Sequence, residues 1–142
     1  MKFIQKLIFL SVVMSVCGLV YGQTQSFRCN FSDGMNTNFD SGKPSTKKSN
    51  DIGELVFDQL DTKKGTGRIV GNSGASDVVV YNGSNSIHIL EPTVSGNMNF
   101  TTIFNPTKNS SGNYPVVHSR HINLPGSGPF PSQYVGLCKK LN

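Results

Sequence analysis

Gln133-Tyr134-Val135-Gly136-Leu137-Cys138-Lys139, near the end of the chain, decides the fold when set beside Phe27-Arg28-Cys29-Asn30-Phe31 near its start. Both runs read as short β-strands, and each carries one cysteine. In the earlier run Phe27, Cys29 and Phe31 fall on one face and Arg28 and Asn30 on the other, the period-two pattern of a half-buried strand. The third cysteine, Cys17, falls in an N-terminal leader. An oxidising compartment then leaves one possible intramolecular bridge, Cys29–Cys138. It closes a loop of about 110 residues, for which chain entropy gives a stabilisation of roughly 4–5 kcal/mol as an upper value.

Between these two runs the chain is rich in Gly, Asn, Ser and Thr and has no helical period. Short apolar-alternating runs recur between turn signals, the pattern of an all-β domain. They lie at about 54–60, 68–70, 77–81, 86–91, 98–104 and 114–122, which makes eight strands with the two cysteine runs. The run from Glu54 to Leu60 is ambiguous in phase, because Val56 and Leu60 oppose Leu55 and Phe57. In the run from Met98 to Phe104, Met98, Phe100, Thr102 and Phe104 share one face, and Met98, Phe100 and Phe104 are inward candidates with Phe27 and Phe31. Asn82-Gly83 is the strongest hairpin signal and predicts a type I′ turn. Gly136, inside the last strand, predicts a bulge or a close backbone approach.

An open eight-strand meander would hold its outer strands about 34 Å apart, at roughly 4.8 Å per strand spacing. A disulfide tolerates a Cα separation of only about 4.4–6.8 Å. The sheet is therefore expected to close into a small up-and-down β-barrel, with a folded-over β-sandwich as the alternative. The segment from Asp33 to Asp51 breaks the rhythm of short connections. It reads either as a binding loop or lid, or as a hidden edge strand or helical turn around Met35–Phe39.

Residues 1–22 read as a secretory signal peptide: Lys2 and Lys6, an apolar stretch from Leu7 to Val20, then Val20 and Gly22 before a cleavage point at Gln23. A spanning helix needs roughly 20 apolar residues, and Ser11, Ser15 and Gly18 dilute this run. A lipoprotein anchor on Cys17 fits poorly because a small residue should precede it, and Val16 does. The product is expected to be a single domain, residues 23–142, exported to the periplasm or the extracellular space, with no membrane span once the signal is cleaved. The net charge of +5 includes Lys2 and Lys6, so the mature domain carries +3. That excess is scattered, and nothing resembles the concentrated basic face with aromatic platforms of a nucleic-acid binder.

The densest polar constellation is His118-Ser119-Arg120-His121. On a strand His118 and Arg120 share one face while Ser119 and His121 share the other. The two histidines point apart, so a shared metal is disfavoured. Ser119 and His121 are too far apart for a nucleophile–base pair, no G-x-S-x-G elbow is present, and no carboxylate pair is recognisable. Gly65-Thr66-Gly67 precedes no helix and does not read as a phosphate cradle. No cofactor is implied. Arg120 reads as a structural cation if a carboxylate meets it inside a barrel mouth, and as a receptor for an anion or carboxylate if none does. Asn30, Asn82, Asn99 and Asn109 match the glycosylation acceptor pattern, which carries little weight in a chain this rich in Asn and Ser.

Gly71-Asn72, Val117-His118-Ser119-Arg120-His121 and Pro131-Ser132-Gln133-Tyr134-Val135-Gly136-Leu137-Cys138 resemble segments of a group of small, uncharacterised exported bacterial proteins. The resemblance implies bacterial export and a common fold unit, and carries over no activity. It also groups the HSRH strand with the terminal cysteine strand as one structural site. The candidate binding residues are accordingly His118, Arg120, His121 and Tyr134. The expected function is a non-catalytic binding or interaction domain, a barrel scaffold meeting a protein partner or small ligand through its loops. The alternatives are a hollow barrel carrying a small ligand, and an enzyme using the His118–His121 strand.

Overall fold

The computed structural model describes residues 24–40, 42–50 and 52–142. The expected signal peptide, its cleavage point and Cys17 lie outside the described residues. The chain forms an all-β fold whose strands are β1 (Gln25–Asn38), β2 (Ser45–Lys48), β3 (Glu54–Asp61), β4 (Thr66–Gly71), β5 (Gly74–Asn82), β6 (Ser86–Pro92), β7 (Met98–Phe104), β8 (Tyr114–His121), β9 (Asn123–Leu124), β10 (Gly128–Pro129) and β11 (Ser132–Leu141). Strands β3 to β8 pair in chain order, β8 pairs with β11, and β11 returns to β1, which pairs with β3. All these pairings are antiparallel, so eight strands close into a barrel. The short β9–β10 ribbon sits in the connection between β8 and β11.

The closing seam is the pairing of β1 with β11, from Ser26 opposite Leu141 to Asn36 opposite Ser132. Cys29 and Cys138 are direct partners in this ladder, bonded as a disulfide with their Cα atoms 3.9 Å apart. Gly136 lies opposite Phe31, where the register slips between Phe31 and Asp33. A Cβ on Gly136 would overlap the Asn30 carbonyl and the Phe31 Cα, so only glycine lets the two backbones close here.

The register slip in β1 also settles the segment from Asp33 to Asp51. Strand β1 runs on past the barrel wall, and Met35 to Asn38 pairs with β2 in a hairpin. The edge-strand reading of this segment is the one observed, with Thr37 Oγ1 and Thr46 Oγ1 bridged at 2.8 Å.

Alternate residues of each strand fill the interior. Phe27, Phe57, Leu60, Ile89, Ile103 and Val116 are buried there together with the disulfide. Each such side chain contributes about 1.5–3 kcal/mol by leaving water. The ambiguous phase of β3 has a local cause. Gln59 adopts a positive φ of 51° and the register shifts between Asp58 and Asp61. This bulge moves Leu60 onto the same inner face as Phe57, which strict alternation forbids.

Two expectations are corrected. The inner face of β7 carries Asn99, Thr101 and Ile103, whereas Met98, Phe100 and Phe104 stand on the outer wall and are substantially exposed. Phe100 there stacks on His88 of β6, with ring centroids 5.8 Å apart. The outer sheet surface thus supplies a partner for the ring, and hydrophobicity alone misassigned the face. Asn82-Gly83 does not form a type I′ turn, since neither residue has a positive φ. The β5–β6 ladder ends at Asn82 opposite Ile87, and a wider turn follows in which Gly83 N donates to Ser86 O.

Candidate functional site at the barrel mouth

The apolar core fills the middle of the barrel. One end holds a small recess of about 140 Å³ bordered by Phe27, Ile87, Ile103 and Tyr114, and the other ends in a larger cup. Strands β4, β6 and β8 finish at this end, and β5, β7 and β11 begin there. Their last inward positions are Glu91 on β6, Asn99 on β7, Arg120 on β8 and Ser132 on β11. Glu91 lies opposite Asn99, Asn99 opposite Arg120, and Arg120 opposite Ser132, so these four form one continuous polar row across adjacent strands. On the far side the wall is apolar, formed by Leu55 and Ile69, and the Gly71–Gly74 hairpin makes the rim. The cup is open to solvent and has a volume of about 280 Å³. That is near the lower end of ordinary ligand pockets, which run to about 300–1,000 Å³.

His118 forms part of the floor. It is buried and its Nδ1 lies 2.7 Å from Thr101 Oγ1, the neighbouring inward position on β7. Burial, and then the positive charge of Arg120, push its pKa down from 6.5 to about 4. The imidazole is therefore neutral at physiological pH, and the cup gains no positive charge from it. Phe31 and Tyr134 flank the ring, with centroids at 5.8 and 6.5 Å.

Along the polar row, hydrogen bonding is incomplete. Asn99 Nδ2 donates to Glu91 Oε2 at 2.7 Å, which orients the amide and leaves Asn99 Oδ1 facing away from the carboxylate. That Oδ1 is buried without a hydrogen-bond partner, and so is Ser132 Oγ. Arg120 stands between these two positions. Among the described residues, the ion pairs are Arg28–Glu54 and Lys64–Asp61, and the Arg120 guanidinium joins neither an ion pair nor a side-chain hydrogen bond. Arg120 also borders a shallower depression beside the β1–β2 hairpin.

The four candidate binding residues are thus not one site. His118 and Arg120 line the cup. Tyr134 lies deeper, 1% exposed, with its hydroxyl donating to Asn36 Oδ1 at 2.9 Å and its ring against Gly34. His121 is exposed on the outer wall beside Pro131 and Gln133. Glu91 and Asn99 were missed. The phenylalanines of β7 outweighed the one signal available, the alternation of Asn99, Thr101 and Ile103. A second imidazole network also went unread. On the outer wall His88 Nε2 lies 3.1 Å from Ser86 Oγ, and its Nδ1 lies 3.1 Å from Thr102 Oγ1.

Among the described residues, no group of three or more His, Cys, Asp or Glu is placed to hold a metal ion, and no helix is long and apolar enough to cross a membrane. The class defined by fold and site is a disulfide-closed, eight-stranded up-and-down barrel with a filled core and a polar cup at one mouth. In comparisons with known proteins, no family model, curated protein or solved structure matches the chain.

Proposed function

We propose that this chain is an exported, non-catalytic binding domain that takes a small ligand into the cup at the barrel mouth. The observation that carries this reading is the Arg120 guanidinium, which borders a cavity of about 280 Å³ with no carboxylate paired to it among the described residues. A guanidinium has five N–H donors and stays protonated, so a partly enclosed and unpaired one is a ready receptor for an oxygen-bearing ligand. Beside it, Glu91 and Asn99 also line the cavity, with the Asn99 amide bonded to the Glu91 carboxylate. The middle of the barrel is filled by core side chains, so the ligand sits at the mouth and does not thread the barrel.

A binding role accounts for the histidines better than catalysis does. The Thr101–His118 pair has the spacing of a nucleophile and its base, but Thr101 is 2% exposed and offers no access to a substrate. The leader, the disulfide and the likeness to exported bacterial proteins support a periplasmic or extracellular setting. Native mass spectrometry of the protein purified from its host tests the reading. A co-purifying small molecule that is lost in Arg120→Gln supports it. A stoichiometric protein partner retained by that variant overturns it in favour of recognition through the loops.

A further inference from the structure

Within the cup, two opposite charges share a small space and do not pair. Glu91 and Arg120 both line it, one on β6 and the other on β8. Their backbones are two strand spacings apart, about 10 Å at ~4.8 Å each. Asn99 stands on the strand between them, bonded to Glu91 and unbonded to Arg120. Resting on the proposed cup reading, we infer that the ligand is a compact zwitterion of the α-amino-acid type with an apolar side chain.

Each part of the cup selects one part of such a molecule. Its carboxylate meets the free guanidinium of Arg120 in a charge-assisted, bidentate contact. Its ammonium group donates to the Glu91 carboxylate, which Asn99 Nδ2 holds in place from the neighbouring strand. Its side chain lies against Leu55 and Ile69 on the opposite wall. A simple dianion such as phosphate is disfavoured by the Glu91 carboxylate, and a simple amine by Arg120. With a neutral imidazole beneath them, the two charges sum to zero, which matches a ligand that is dipolar and uncharged overall.

Titration of the purified protein with L-leucine, followed by 15N–1H NMR, tests this. Two comparison probes each lack one charge: 4-methylpentanoate has no ammonium and 3-methylbutylamine has no carboxylate. The expected result is saturable shifts at the amides of Glu91, Asn99 and Arg120 with leucine, and binding at least about 10-fold weaker for either analogue, the loss of one contact to a charged group. Glu91→Gln should bring leucine to the level of 4-methylpentanoate, and Arg120→Gln to that of 3-methylbutylamine. Unchanged amide dispersion in both variants would show that the barrel is intact. If 4-methylpentanoate binds as well as leucine, the cup takes anions and the zwitterion inference fails while the cup reading stands. If no probe shifts these amides at millimolar concentration, the inference also fails, and the co-purification experiment decides the cup reading separately.

Discussion

Thr101 Oγ1 and His118 Nδ1 lie 2.7 Å apart on neighbouring strands, with both residues buried beneath the polar cup. The imidazole is held neutral, with its pKa pushed down from 6.5 to about 4, first by burial and then by Arg120. Above about pH 6.5 neither the folded nor the unfolded chain binds a proton there, so this site adds no pH dependence. As the pH falls below that value the unfolded chain takes up a proton that the folded chain refuses, and stability declines. The loss should reach about 3 kcal/mol by roughly pH 4 and then level off. Urea unfolding across this range, compared with His118→Gln, checks it. An equal slope in the variant would rule out His118 as the source.

Removing the bridge should weaken the barrel without opening it. Cys29 and Cys138 are one pair in a ladder that extends on both sides of them. The double variant Cys29→Ala/Cys138→Ala should therefore lose up to about 4–5 kcal/mol, the chain-entropy value for a loop of this length. Amide exchange should still report protected pairing between β1 and β11. Loss of that protection would mean that the disulfide, and not the ladder, holds the seam.

Strand β7 offers a direct test of which face is inside. Ile103 is 1% exposed and Phe104 is 41% exposed. Ile103→Ala should cost about 2–5 kcal/mol and Phe104→Ala about 1 kcal/mol or less, although the second removes more atoms. The reverse order in chemical denaturation would mean that the strand presents its other face.

Gly136→Ala should be among the most damaging small substitutions. The added Cβ meets backbone atoms of Asn30 and Phe31, which cannot move aside as a flexible side chain would. The two seam strands must separate, at a cost of about 1–3 kcal/mol or more. A thermal midpoint unchanged from wild type would show that the seam is looser than this packing implies.

A good part of the architecture was legible in the residues themselves. The strand runs could be read from period-two alternation, because each strand presents one face to the core whatever its neighbours are. Cys29 and Cys138, placed in the outermost runs, demanded that the meander curl until those runs met. Gly136 announced a close approach because glycine in a strand interior has little other use. Placing His118 and Arg120 on one face needed only the same periodicity.

The tertiary structure alone decided the phase of β3 and β7 and the composition of the cup. The bulge at Gln59 inverts the alternation of β3; the sequence shows the conflict of phase between Phe57 and Leu60 but not how it is resolved. On β7, the more apolar face lies outside, and the choice fell to the neighbours: His88 covers Phe100 outside, while Thr101 meets His118 inside. Glu91, Asn99, Arg120 and Ser132 are scattered over more than forty positions of the chain, and cross-strand register alone brings them into one row. The cysteines and alternation thus determined that the sheet curls until its outer strands meet, as a barrel or a folded-over sandwich. Register and bulges, which depend on pairing between distant strands, determined which charges meet at its mouth.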